Sequence, residues 1–280
     1  MRDIIRIYRK NKLAVFGFFV ISIIVFLAIF ADIISPYKYD EIDLANFLQG
    51  PSLSHPFGTD SIGRDLLTRI IYGARTSLIV GFSVQILAVL IGVPLGLFAG
   101  FYGGKVDYWI SRLVEVMTAF PGLLFAIFLM TWLGNGLFNI IIALGITGWI
   151  GICRVTRAKT LEIKGEAFVE AAEALGVSNS YLLFKTILPN IIRPIIIMVG
   201  LGVPQAIFGE ASLSFLGFGI SDPLPSWGKM IGESLGYLQG YWYMGFFPTL
   251  SLAITVLCFN FVADGLRDAL DPRMTSRRKG

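Results

Sequence analysis

Long stretches without a single charged side chain constrain this chain more than any other feature. A helix needs about 20 apolar residues to cross the hydrocarbon core of a bilayer. Uncharged runs of that length or more begin at Leu13, Thr76 and Val116, and the third continues to Cys153. Charged residues make up 15% of the chain, against about a quarter in a soluble domain. The sequence therefore predicts an all-α membrane protein.

Turn residues and charges divide the apolar sequence into six predicted membrane spans. The triplet Gly134-Asn135-Gly136 is a turn signal, and it splits the longest run into a third and a fourth span. The fifth span begins after Pro194, is interrupted by Pro204 and reaches Glu210. The predicted spans are residues 13–31, 76–104, the two halves of 116–153, 195–210 and about 245–263.

Lysine and arginine are distributed unevenly between the two sides of these spans. With the N-terminus inside, the outer segments hold five of the 23 basic residues and the inner segments hold the other 18. Because an excess of basic residues marks the cytoplasmic side, both termini are predicted to be cytoplasmic. The predicted organisation is an inner segment (1–12), a first transmembrane helix (13–34), an extracytoplasmic loop (35–75), a core with five further helices (76–265) and an inner tail (266–280).

Several function classes are excluded by motifs that the sequence lacks. The net charge of +4 follows from the topology, so no nucleic-acid partner is predicted. The only Gly-Lys pairs, Gly104-Lys105 and Gly228-Lys229, lack the other residues of a phosphate-binding loop, so no ATP hydrolysis is predicted. The single histidine, His55, has no second histidine or cysteine near it, so no metal site is predicted. Neither a catalytic residue nor a cofactor is expected.

One polar insertion, about residues 159–190, separates the fourth and fifth predicted spans. Glu162, Glu166 and Glu170 recur every four residues, and Glu173 lies beside them. Like charges at this spacing cost a few tenths of a kcal/mol per pair in an isolated helix. An apolar or small stripe accompanies this row, formed by Leu161, Gly165, Phe168, Ala172 and Leu175. The row indicates a helix facing a basic partner, although an ordinary solvated helix explains the pattern slightly better.

Helix-capping and helix-breaking residues predict a helix-turn-helix within this insertion. Gly176 suits the left-handed position that follows a helix, and Ser178 or Asn179 can cap the next helix. Pro189 is predicted to terminate that second short helix.

The same insertion resembles a known motif. Glu170-Ala171-Ala172, Gly176 and Leu188-Pro189 resemble the EAA loop of the membrane subunits of bacterial ABC importers. One departure is Thr186, which stands where the general pattern has isoleucine. In that family the loop forms coupling helices that dock into a cleft of the cytoplasmic ATPase. The resemblance implies that this segment, including Glu166 and Phe168, contacts a separate ATPase.

Four further stretches resemble the C-type permease of dipeptide, oligopeptide and nickel importers. They are HPFGTDSIGRDLLTRIIYGARTSL (55–78), GLFAGFYGGKVDYWISRLVEVMTAFP (96–121), EASLSFLGFGISDPLPSWGKMI (210–231) and NFVADGLRDALDPR (260–273). The resemblance implies half of a translocation pathway in the inner membrane, specific for di- or oligopeptides. It also implies a homologous second permease subunit in a heterodimer, two ATP-binding subunits and an extracytoplasmic solute-binding protein.

Glu210 and a glycine ridge leave structural and functional interpretations open. A carboxylate near the end of an apolar helix indicates a pathway or gate residue, but an interfacial position satisfied by water or backbone donors is favoured. Gly92, Gly96 and Gly100 form a small-xxx-small ridge, which predicts close helix packing. The alternative function is a secondary transporter that uses Glu210 as a proton or cation site. No internal repeat supports it, and it leaves the polar insertion unexplained.

Overall fold

The computed structural model describes residues 2–270, and within them the chain forms helices and no β-strand. The helices are α1 (Arg2–Tyr8), α2 (Lys12–Ile29), α3 (Ala31–Ile34), α4 (Leu66–Tyr102), α5 (Gly104–Ala119), α6 (Gly122–Leu133), α7 (Leu137–Lys164), α8 (Ala167–Ala174), α9 (Asn179–Tyr181), α10 (Leu188–Phe215), α11 (Trp227–Ser234) and α12 (Tyr243–Leu270). The predicted all-α class is confirmed. Most of the predicted inner tail lies outside the described residues.

Five helical stretches are long and apolar enough to cross a membrane. They are Lys12–Ile29, Leu66–Tyr102, Leu137–Lys164, Asn179–Phe215 and Tyr243–Leu270. The third predicted span, the first half of 116–153, corresponds to the end of α5 and all of α6, and these two helices meet at an angle of 86°. Phe120 is extended there because the residue before a proline is disfavoured in the helical region. Six spans therefore result only if this bent pair crosses as one.

α4 begins ten residues before the second predicted span, which was placed at 76–104. The Asp65 side chain accepts a hydrogen bond of 2.7 Å from the Thr68 backbone N–H and caps the helix at its start. The prediction stopped at the charges of Arg69 and Arg75, but Arg69 is fully buried and its Nη2 lies 3.0 Å from Glu233 Oε2. At a rise of about 1.5 Å per residue, the helix exceeds the thickness of a bilayer core.

The predicted glycine ridge of α4 lies directly against α7. A Cβ atom added at Gly92 or Gly96 would lie 2.6 Å from the carbonyl oxygen of Trp149 or Cys153, respectively. At Gly100, it would lie 2.6 Å from Thr160 Cβ. Any larger side chain would force the two helices apart, so the spacing of these glycines sets how closely α4 and α7 pack.

A buried ion-pair cluster joins the start of α4 to α11. Arg64 Nε donates to Asp60 Oδ2 at 2.6 Å, and both Arg64 and Arg69 contact Glu233. At the edge of the cluster Lys229 Nζ donates to Asp222 Oδ1 at 2.8 Å. That bond holds the pKa of the Asp222 carboxyl below its usual value.

His55 lies in the predicted extracytoplasmic loop (35–75), and its contacts there are structural. Its Nδ1 lies 3.0 Å from Asp65 Oδ1, and its ring stacks on Tyr37 with the centroids 4.8 Å apart. No group of three or more potential metal ligands occurs between residues 2 and 270. His55 therefore anchors the outer loop to the cap of α4.

Candidate functional site

The polar insertion folds into a short helical connection, called here the connecting segment (residues 165–187). α8 ends with Gly176 at φ +72°. The Gly176 N–H donates to Glu173 O at 2.9 Å, and the Val177 N–H donates to Ala172 O at 3.3 Å. These two bonds make a Schellman motif, which needs a residue with positive φ at this position. The sequence prediction of a left-handed helix end at Gly176 agrees with this geometry.

The second helix of the connecting segment starts as predicted but ends differently. Ser178 caps α9, since its hydroxyl accepts a bond of 3.4 Å from the Tyr181 N–H. The prediction that Pro189 terminates this helix is wrong. The backbone continues through a π-helical turn, Leu182–Ile187, into α10, and Pro189 lies in the first turn of α10. The wider π-helical turn shifts the hydrogen-bond pattern just before Pro189. Proline lacks an N–H, but at this position it breaks no long series of α-helical hydrogen bonds.

The inward side of the connecting segment is anchored in the main hydrophobic core. Val169, Leu182, Leu183 and Ile187 are each at most 2% exposed. They belong to one cluster with residues of α4, α5 and α7, including Val93, Leu97, Phe101, Val114 and Ile152. The segment is therefore packed onto the transmembrane helices along its length. The sequence analysis did not identify Val169, whose burial follows from its position between the two faces of α8.

The outward side of α8 combines apolar and acidic side chains. Phe168 is 47% exposed and Leu175 is 83% exposed, although both belong to the stripe that the sequence singled out. Glu166, Glu170 and Glu173 are also exposed, and the ion pairs of the described part of the chain do not include them. An exposed apolar patch beside unpaired acids is typical of a surface that a partner covers.

Glu210 is completely buried, so the prediction that water or backbone donors satisfy its carboxylate is wrong. Its Oε1 accepts a bond of 2.7 Å from the Ser214 hydroxyl, and its Oε2 accepts one of 3.3 Å from the Ser77 hydroxyl. These donors are neither water nor backbone. α11 covers this end of α10, because Gly228 lies so close that an added Cβ would be 2.3 Å from Ala211 Cα. This covering helix was not predicted from the sequence.

A cavity of about 320 Å³ lies between α4, α7 and α10. Gln85, Thr147 and Gln205 line it together with small and apolar residues. Glu210 is not among the lining residues. The sequence analysis missed this site, whose only signal was uncharged polar residues in otherwise apolar spans.

Two family models match the sequence. A family model described as a binding-protein-dependent transport system inner membrane component matches residues 92–276. Residues 1–51 match a second model, described as the N-terminal TM domain of oligopeptide transport permease C. The first match covers more than half of the chain, and together the two extend over both its ends.

Individual relatives align over nearly the whole chain. The oligopeptide transport system permease protein OppC of Bacillus subtilis is 45% identical over 273 residues, covering 98% of this chain and 90% of that protein. The dipeptide transport system permease protein DppC of Alkalihalophilus pseudofirmus is 44% identical over 275 residues, with the same coverage. The oligopeptide permease OppC of Escherichia coli is 39% identical over 274 residues, covering 97% of this chain and 91% of that protein.

A solved structure has the same fold. An inward-facing structure of the MetNI methionine ABC transporter aligns with a TM-score of 0.61 at 21% identity, covering 74% of this chain and 98% of that one. The resemblance to ABC importer permeases that the motifs indicated is thus confirmed. The chain belongs to the family of binding-protein-dependent transport system inner membrane components, and it is a non-catalytic, multi-pass permease subunit of the ABC-importer type.

Proposed function

We propose that this chain forms half of the translocation pathway of a peptide importer, and that its connecting segment couples the pathway to a separate ATPase. The names of its relatives support the substrate class, since they transport dipeptides or oligopeptides. In this proposal the cavity holds the solute, the outer loop contacts the solute-binding protein, and the connecting segment contacts the ATPase. The chain binds no cofactor and no nucleic acid in this proposal.

The observation that carries the coupling role is the two-sided environment of α8. Its inward residue Val169 is fully buried against the core, whereas Phe168 and Leu175 on its outward side are exposed beside unpaired glutamates. A partner that binds the exposed side and changes shape therefore moves a segment that is already packed onto the membrane helices. The surface that contacts the partner, or the support beneath it, is formed by Glu166, Glu170, Ala171 and Ala172. Gly176 sets the shape of this surface.

The helical backbone gives a route by which this movement reaches the pathway. Asn179–Phe215 is one continuous helical stretch that passes Leu188 and Pro189 and then lines the cavity through Gln205. Closing and opening of two ATP-binding subunits would tilt this stretch and expose the cavity alternately to the two sides. The lipid bilayer surrounds the outer faces of the helices.

The orientation and the remaining partners follow from charge and exposure. The excess of basic residues on the inner segments supports cytoplasmic termini and a cytoplasmic connecting segment. The outer loop exposes Ile42, Leu44, Phe47 and Leu53, which provides an apolar surface for an extracytoplasmic solute-binding protein. A homologous permease subunit supplies the other half of the pathway in a heterodimer.

A secondary transporter based on Glu210 fits the structure less well. Its carboxylate is enclosed between Ser77 and Ser214 and does not line the cavity. A coupling-ion site that exchanges with both sides of the membrane needs a route for the ion to reach the carboxylate. The buried hydroxyl contacts support a packing role instead.

Reconstitution tests the proposal directly. The complex of both permease subunits, the ATP-binding subunits and the binding protein is placed in proteoliposomes, and ATP-dependent uptake of a labelled peptide is measured. Glu170→Lys should reduce uptake or ATPase association by about tenfold, because it reverses charge on the exposed side of α8 without changing the turn. A charge reversal on the ATPase surface should restore part of the activity.

The matched control is Asp264→Lys. Asp264 is an exposed acid on α12, and its reversal should leave uptake within about twofold of the wild type. Peptide uptake by this chain alone, driven by a proton gradient, would refute the proposal. Normal uptake in Glu170→Lys would refute the coupling role of α8.

A further inference from the structure

Three uncharged polar side chains meet at the cavity between α4, α7 and α10. They are Gln85 of α4, Thr147 of α7 and Gln205 of α10. The rest of the lining is apolar or glycine, including Gly148, Gly151 and Gly202, and it contains no charged residue. The glycines leave the polar groups accessible from the cavity. The lining therefore offers hydrogen bonds without attracting charge of either sign.

These polar groups lie near the middle of their helices. Thr147 follows the start of α7 by ten residues, and Gln205 precedes the end of α10 by ten residues. At about 1.5 Å per residue, each is about 15 Å from that helix end, which is half of a hydrocarbon core about 30 Å thick. Gln85 lies close to the midpoint of α4. The three groups are therefore at the depth where a polar side chain is least favourable against lipid.

Gln85 is held in place but has no hydrogen-bonding partner. Its side chain is 7% exposed and lines the cavity, and its amide forms no hydrogen bond with any group of residues 2–270. The position of the amide is fixed by Gly202, where an added Cβ would lie 2.3 Å from Gln85 Oε1 and 2.6 Å from Nε2. The amide lines the cavity, where its donors and its acceptor are free to bond. A solute in the cavity can therefore complete these hydrogen bonds.

Gln205 extends the same chemistry to the exposed side of the cavity. Its side chain is exposed in the chain by itself and likewise forms no hydrogen bond within the described residues. Thr147 already donates its hydroxyl to Leu144 O at 3.0 Å, which leaves the hydroxyl oxygen as an acceptor. Each glutamine amide both donates and accepts, and a peptide group presents one donor and one acceptor.

We propose that Gln85 and Gln205 bind the peptide backbone of the transported solute midway across the membrane. The inference rests on the proposed function in peptide transport. Amide-to-amide bonds are independent of the solute's side chains, and the uncharged lining repels neither acidic nor basic peptides. The site thus recognises peptides as a class, whatever their sequence.

The test uses the complete complex in proteoliposomes at saturating binding protein. Gln205→Met and the double variant Gln85→Met with Gln205→Met keep the length of the side chains but remove their hydrogen bonds. The double variant should slow uptake of acidic, basic and apolar peptides of equal length by about fivefold to tenfold each. Gln239→Met carries the same substitution at an exposed residue outside the cavity, and it should transport at the wild-type rate.

A backbone-modified probe separates this site from a purely structural effect. An analogue with ester links in place of amides loses the N–H donors, so wild-type uptake of it should be slow and the glutamine variants should slow it little further. Binding of each probe to the binding protein is measured separately. ATPase stimulation by the loaded binding protein verifies that each variant is assembled.

Two results overturn the inference while the proposed function stands. One is wild-type uptake of all peptides by assembled Gln205→Met and by the double variant. The other is slowing that depends on the side chains of the peptide. If the double variant fails to assemble, the exposed Gln205 position alone decides between these outcomes. Failure of the wild-type complex to import any peptide would instead refute the proposed function.

Discussion

The charges near the two ends of α4 differ in whether they are paired within the chain. Near its start, Arg64 and Arg69 are buried against the carboxylates of Asp60 and Glu233. Beyond its other end, Val169 of α8 belongs to the same hydrophobic core as Phe101, and α8 presents glutamates that pair with no described cation. Charges satisfied within the chain hold its own elements together, whereas charges left unpaired on an anchored helix are available to another subunit. The following changes test that distinction, beginning with the largest expected effect.

Glu233→Leu should be the most damaging change, since it removes the carboxylate that bonds to the fully buried Arg69. Breaking a fully buried pair typically costs about 3–5 kcal/mol; because Glu233 is 34% exposed and Asp60 stays 3.7 Å from Arg69, the loss should lie below that range. We expect a lower apparent melting temperature of the purified protein in detergent. The double variant with Arg69→Leu should recover much of this loss.

The exposed pair of Asp32 and Arg75 serves as the control for Glu233→Leu. Their side chains are 66% and 31% exposed, respectively, and exposed pairs contribute up to about 1 kcal/mol. Asp32→Leu should therefore change the melting temperature much less. Equal losses from the two variants would show that burial does not distinguish these charges.

Gly176→Val should preserve the membrane helices but disturb the surface of the connecting segment. A β-branched residue at φ +72° is strained by about 1–3 kcal/mol. We expect about a tenfold loss of uptake, together with weaker ATPase association and little change in the yield of folded permease. Gly165→Val is the control, because Gly165 has φ −82° and a Cβ there would lie 3.9 Å from its nearest neighbour, Glu162 O.

Glu210→Gln should have a modest effect, because it tests a buried carboxylate whose partners are hydroxyls. The amide oxygen can still accept from Ser214, and the amide nitrogen can donate to Ser77. Uptake should stay within about threefold of the wild type, whereas Glu210→Leu should lower the melting temperature because both hydroxyls lose their acceptor. A loss of uptake beyond tenfold in Glu210→Gln, with normal assembly, would indicate a titrating role.

Asp222→Asn should give the smallest effect. Lys229 lowers the pKa of Asp222 from its ordinary value of 3.8, so the folded state favours the charged carboxylate. Its stabilising contribution is therefore present above pH 3.8 and is lost as the pH falls through the lowered pKa. The variant should be less stable at pH 7 by up to about 1 kcal/mol. Its melting temperature should approach that of the wild type in acid.

The sequence predicted those features that depend on local chemistry. The left-handed Gly176, the serine cap at Ser178 and the helical class follow from residue types and spacing, and the structure has each of them. Arg112 and Glu115 lie three residues apart, a spacing that predicts an ion pair on a helix, and the structure has this pair at 2.6 Å. The charged residues of the stretch 260–273 predict an organised inner end of the last span, but two of them, Asp271 and Arg273, lie outside the described residues.

The features that sequence reasoning missed depend on contacts between distant segments. Arg69 looked too polar for a helix interior because its partner Glu233 is far away in the sequence. Glu210 looked interfacial because α11, which covers it, is short and follows an irregular loop. Gln85 gave no signal because a lone glutamine becomes informative only when Gly202 and Gln205 are seen beside it.

The π-helical turn at Leu182–Ile187 also restricts how this gene can change. Each residue of a helix advances the chain by about 100°. Deleting one residue within the turn would let the backbone relax to ordinary α-helical geometry, and it would rotate everything from Leu188 onward by about that angle. Gln205 would then leave the cavity and Glu210 would lose the Ser77 hydroxyl of α4, although the span would keep nearly the same length and hydropathy. Point substitutions are therefore tolerated here far more readily than insertions or deletions.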